Sequence, residues 1–180
     1  MVQQNQRKEF FRLIVGLSIL FLILGGFLLY LSIPFLSETS VILSTEPVDP
    51  FDPIRGQYII IRYEINDIPL IDNAGKGDTV YVVLKEDERG ISRYKNAFLT
   101  KPEDGVFIKG NVERIFKSRE NMRIKYGIEQ YFFERNARFA TRGMFVEVKL
   151  SDSGRAGIKE LLDRNKEPLE INYSEKNWKS

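Results

Sequence analysis

The chain has 180 residues, 43% apolar, with 13 Phe and 8 Tyr, enough for one cored domain of ordinary size beside a membrane segment. It has no Cys and no His, which excludes disulfides, thiol nucleophiles, zinc–thiolate sites and histidine acid–base chemistry. Its 27 Lys and Arg against 25 Asp and Glu leave no large charge imbalance to favour nucleic acid.

Leu13 to Ser37 is a run of 25 residues without a charge. A helix crosses a hydrocarbon core in about 20 residues, so this run is long enough. Arg7, Lys8 and Arg12 precede it against Glu9 alone, and the first cation after it is Arg55. The positive-inside bias then predicts a cytoplasmic N-terminus and a domain on the far side. A cleaved signal peptide is the competing reading, but its apolar region is shorter and ends at small residues. Ile33-Pro34-Phe35-Leu36-Ser37 has no such pattern. Gly25-Gly26 is read as ordinary anchor glycines rather than a helix-pairing motif. With Arg7, Lys8, Arg12 and Glu9 set aside, the rest holds 24 cations and 24 anions. The expected division is a tail over 1–12, an anchor over 13–36 and an outer domain over 37–180.

Val41-Ile42-Leu43 predicts the first strand. The prolines at 47, 50 and 53 then keep the chain extended or turning. Asp49 and Asp52 each precede a proline, which suits a stiff Asx-type turn or a cation or substrate site. After Arg55, Gly56 and Gln57, a strand alternates, with Ile59, Ile61, Tyr63 and Ile65 on the core face. Tyr58, Ile60, Arg62 and Glu64 share the other face, suited to partial cover. Thr79–Lys85 is a second β-branched strand, predicted to pair with Ile59–Ile65. Tyr94–Leu99 and Gly105–Ile108 predict shorter strands, and the apolar pattern goes on through Val112, Ile115 and Phe116. Met122, Ile124, Tyr126 and Ile128 alternate up to Glu129. A short helix is predicted over Glu134–Thr141, bringing Arg135, Arg138 and Arg142 near one another on a solvated face or an anion-contacting one. Met144–Leu150 predicts a strand, Arg155–Arg164 a helix from its apolar spacing, and Pro168–Tyr173 a last strand. The fold class is a single N-terminal transmembrane α-helix plus a β-rich (α+β) extracytoplasmic domain with two short helices.

With these residues in place, the chain resembles the GDYXXLXY domain family. Gly56, Tyr58 and Tyr63 match its signature, and Ile61 stands where Leu is usual. Pro47-Val48-Asp49-Pro50 matches the run leading into it. Tyr126-Gly127-Ile128-Glu129 followed by Tyr131-Phe132 is similar to the second motif, and Gly154-Arg155-Ala156-Gly157-Ile158 to the close; the likeness covers about 41–173. Gln57 replaces the Asp that names the motif, and an amide cannot ionise. The resemblance implies a membrane-anchored accessory protein, often encoded beside a multi-pass membrane protein, rather than a reaction. A weaker likeness is to the signal peptidase layout. Ser44 would be its nucleophile, but the expected Ser-x-Met-x-Pro is missing. A carboxylate-based hydrolase using Glu64, Glu129 or Glu134 is the other enzyme reading.

The sequence therefore leads to a binding or accessory protein of the bacterial cytoplasmic membrane with a multi-pass membrane partner. The expectation includes no nucleic acid, cofactor, metal or catalytic residue. Gly56 is assigned to backbone geometry, Tyr58 and Tyr63 to packing or partner contact, and Glu129 to a buried hydrogen bond or ion pair.

Overall fold

A computed structural model of the chain describes residues 2–32, 38–46, 58–132, 137–138, 143–169 and 172–173. The first element is one long helix, α1 (Val2–Ser32), of which Glu9–Ser32 is long and apolar enough to cross a membrane. Its large apolar side chains from Phe10 to Leu31 are mostly exposed: Leu22 is 76% exposed and Leu29 69%. A helix that is apolar all round and uncovered by protein calls for lipid around it. By length, composition and exposure α1 is a candidate membrane span.

The remaining described residues are β-rich. Thirteen strands follow in chain order: β1 (Ser40–Glu46), β2 (Tyr58–Ile60), β3 (Arg62–Tyr63), β4 (Asp67–Pro69), β5 (Thr79–Glu86), β6 (Ser92–Phe98), β7 (Phe107–Phe116), β8 (Asn121–Lys125), β9 (Gln130–Phe132), β10 (Ala137–Arg138), β11 (Phe145–Leu150), β12 (Ala156–Leu162) and β13 (Asn172–Tyr173). Nine form one sheet in the order β12-β11-β1-β6-β5-β7-β8-β4, with β3 on β1. β2 pairs with β9, and β10 with β13, as two small ribbons. The main sheet curls on itself. Lys109 N–H in β7 donates to Gly154 O in the β11–β12 turn at 2.8 Å, although those strands are far apart in the order.

Alternation explains what the curl encloses. Leu43, Val80, Val82, Ile108, Val112, Met122, Ile124, Val146 and Val148 point inward and are almost wholly buried in one core. A smaller cluster of Ile91, Phe145 and Leu162, with Ile42 against it, lies on the other face of β1, β11 and β12.

Two predicted helices are corrected. Over Arg155–Arg164 the chain is the strand β12, antiparallel to β11. The register shifts between Glu147 and Val148, where Glu147 faces Glu160 and Val148 faces Ile158, so Lys159 is an extra residue. This bulge flips the inward phase from Ile158 to Leu161 and turns Leu162 to the second cluster. A period of two interrupted once looks like helical spacing. In the stretch predicted as helix over Glu134–Thr141, Ala137–Arg138 is strand, paired with Asn172–Tyr173. Arg138 therefore lies on a ribbon, while Arg135 and Arg142 fall outside the described residues.

The predicted pairing of Ile59–Ile65 with Thr79–Lys85 is also corrected. β5 pairs with β6 and β7, and the motif strand breaks into β2, β3 and a 3-10 turn over Glu64–Asn66. The short strand predicted at Gly105–Ile108 is part of a ten-residue strand, β7, which takes in the apolar pattern that continues through Val112, Ile115 and Phe116.

Candidate functional site

The two motif segments interlock. β2 runs antiparallel to β9, placing Tyr58 opposite Phe132, Ile59 opposite Tyr131 and Ile60 opposite Gln130. Ile59 and half-buried Tyr131 face the core, while Ile60 and Phe132 are 55% and 72% exposed. One step on, Ile61 N–H donates to Glu129 O at 2.8 Å.

Deeper in, two tyrosines are exchanged. Tyr63, fully buried, donates its hydroxyl to Ile128 O at 2.8 Å, and buried Tyr126 donates its own to Ile65 O at 2.6 Å. Each segment thus satisfies a carbonyl of the other, as a buried polar group requires. Burial first, and the Glu129 carboxylate second, push both hydroxyls well above the ordinary tyrosine value.

Glu129 ties the turn between β8 and β9. Its Oε1 accepts from Tyr126 N–H at 2.5 Å and its Oε2 from Gly127 N–H at 2.9 Å. Gly127 has φ of +86°, so the turn is glycine's by conformation. Asn66, 4% exposed, completes the knot. Its Oδ1 accepts from Tyr63 N–H at 2.6 Å, and its Nδ2 donates to Ile124 O at 2.8 Å and to Glu129 Oε1 at 3.3 Å.

Beside the knot lies a groove of about 490 Å³, with Ile60, Ile61 and Ile124 as apolar lining and Arg62, Arg123, Lys125, Glu113 and Glu129 as charged lining. Asp67 organises the cations. Arg123 grips both of its oxygens, at 2.8 and 3.0 Å, and Arg62 also bonds Oδ2. Arg62 Nε stands 2.9 Å from Glu46 Oε2 as well. The Arg123 hydrogen bond, aided by Arg62, holds the Asp67 carboxyl below its usual range against partial burial. The fork is therefore fully charged at neutral pH.

The sequence-derived site residues are thus distributed as follows. Tyr63, Tyr126, Gly127 and Glu129 meet in the knot, and Tyr131 and Phe132 belong to the ribbon beside it. Glu64 is exposed and turned away, ion-paired with Arg93. Tyr58 is placed by its backbone pairing. Asp49, Asp52, Arg55, Gly56 and Gln57 lie outside the described residues, as does Glu134. Ser44 lies inside β1 opposite Phe145. Asn66, Asp67 and Arg123 were not among the candidates. Asn66 carried a readable signal, an amide following Ile65 at the very end of an alternating strand; the Arg123–Asp67 pair, 56 residues apart, carried none. Among the described residues, no three Asp or Glu side chains converge as a metal site would need.

Fold and site together describe a β-domain behind a long apolar helix, with its two motif segments joined in one grooved face. The family model described as GDYXXLXY protein matches residues 20–161, most of the chain, and the chain belongs to that family. No curated protein and no solved structure gives a significant match.

The tyrosine exchange sets an alkaline limit. Above pH ~10 the unfolded chain loses tyrosine protons that folded Tyr63 and Tyr126 retain, so stability falls as pH rises. Below that pH their contribution is fully present. In alkaline melts of the full chain in detergent, Tyr63→Phe with Tyr126→Phe should show a shallower decline than the parent. At neutral pH each single Phe variant should cost about 1 kcal/mol for the lost hydrogen bond. Parallel alkaline slopes for parent and double variant would refute the exchange.

Proposed function

We propose that this is a binding protein, not an enzyme. It is held by α1 with its N-terminus in the cytoplasm and its domain on the outer side of a bacterial cytoplasmic membrane, and it engages a segment of a multi-pass membrane protein in the groove beside the motif knot. The observation that carries the reading is how the polar groups there are used. Glu129 holds two backbone N–H groups, both tyrosine hydroxyls hold backbone carbonyls, and Asp67 is locked between two arginines. Groups so committed build a rigid surface; a general acid or base needs a reachable proton on substrate. The surface itself, apolar isoleucines flanked by charges of both signs, suits an amphipathic peptide. The cations Arg7, Lys8 and Arg12 before the anchor support the orientation.

A photo-crosslinking amino acid at exposed Gln130, in the full chain in native membranes, should trap a multi-pass protein. The same group at exposed Glu88, in the turn before β6, should not. Equal trapping from both positions, or turnover of a peptide or glycan by the purified chain, would overturn the binding reading.

A further inference from the structure

Arg155 reaches the anchor. Its Nη1 donates to Tyr30 O at 3.1 Å, and its guanidinium carbon lies 3.7 Å from the centroid of the Tyr30 ring. Tyr30 is two residues from the end of the apolar helix. A carbonyl in the last turn of a helix has no intrahelical N–H, and a cation there meets the negative end of the helix dipole. Tyrosine near the end of a membrane span sits at the interface, with its ring at headgroup level. A guanidinium stacked on that ring is held at the same depth. Gly154 beside it is locked to the domain body: Lys109 N–H bonds its carbonyl, and a Cβ there would approach Phe107 to 2.7 Å. Thr39, just before β1, shares one cavity with Lys101, Val106, Phe107 and Ser151, so the chain's exit from the anchor, the β6–β7 loop and the β11–β12 turn lie at one end of the domain. That end shows exposed Val106 and the Lys101 ammonium 5.8 Å over Phe107.

We propose that the β11–β12 turn, Ser151 to Arg155, rests in the phospholipid headgroup layer, and that Arg155 fixes the angle at which the domain meets the bilayer. The occupant of this face is the lipid surface into which the anchor itself runs. The proposal rests on the membrane reading of α1. It extends that reading from attachment to orientation. With the turn at the membrane, β7 leads away from it over ten residues, about 30 Å of strand, to Phe116.

The chain has no native cysteine, so single labels are unambiguous. A bimane on Leu17→Cys, Ser153→Cys or Ser118→Cys is placed in the full chain in phosphatidylcholine vesicles that carry nitroxide lipids. Position 153 should be quenched by headgroup nitroxide several-fold more than position 118, and position 17 by acyl-chain nitroxide. Arg155→Ala should remove more than half of the quenching at 153 and leave position 17 unchanged, and Arg155→Lys should fall between. Equal quenching at 153 and 118 with position 17 still quenched would overturn the docking alone. Unquenched position 17 would overturn the anchor on which it rests. Quenching at 153 that survives Arg155→Ala would remove Arg155 from its orienting role.

Discussion

Gly110→Ala should destabilise the domain by about 3 kcal/mol, although it adds a single methyl group. Gly110 lies buried in β7 where β8 and its continuation pass over it. A Cβ there would stand 2.4 Å from Ile124 Cγ2, 2.8 Å from Lys125 O and 2.8 Å from Tyr126 Cδ1. One of these is backbone, one is a branched core side chain, and the third is a ring fixed at its far end by the bond from its hydroxyl to Ile65 O. None yields cheaply, and overpacking of this kind costs about 1–3 kcal/mol, more where backbone must shift. Thermal unfolding of the full chain in detergent, followed by the β-sheet circular dichroism signal, should move down by about 10 °C. The crosslink from Gln130 should weaken with it, because displacing Tyr126 loosens the knot. An unchanged melting temperature would show that β8 does not cross Gly110 this closely.

Glu129→Ala should cost about 2–4 kcal/mol, more than an exposed glutamate would. The carboxylate accepts two backbone N–H bonds and one amide bond, and hydrogen bonds to a charged group are worth about 1.5–3 kcal/mol when removed. Glu129→Gln keeps one oxygen for Tyr126 N–H but presents an NH₂ to the N–H of Gly127. Its loss should be intermediate. Denaturant unfolding of the three proteins in the order parent, Gln, Ala is the check. An Ala variant as stable as the parent would contradict the role of Glu129 in holding the turn.

The long apolar helix and the core faces were legible because each is a repeated local pattern. Ile59, Ile61, Tyr63 and Ile65 are all buried, and so are Met122, Ile124, Tyr126 and Ile128, as their alternation requires. That rule survives even where the motif strand breaks into two short strands and a 3-10 turn, because burial follows the side of the chain and not the length of the element. What failed was non-local. The bulge at Lys159 disguised a strand as a helix, and its cause is the register of β11 across the turn. The pairing of β5 with β6 and β7 instead of the motif strand is a choice of topology, which no window of sequence contains. In the site, Glu129 was visible from its motif, whereas the Asp67–Arg123 fork joins residues whose proximity only the folded sheet creates.

The place of β1 in the sheet bears on how this protein is made. β1 is the first strand after α1, yet its long antiparallel partner is β11, and the Ser40–Glu147 hydrogen bond spans 107 residues. At a synthesis rate of about 5–20 residues per second, the first strand waits roughly 5–20 s for that partner. Until then, the edge of β1 that takes β11 has no strand to pair with. Ribosome-nascent chains stopped short of β11 should therefore remain protease-sensitive beyond the anchor, and resistance should come in one step once the C-terminal third has emerged.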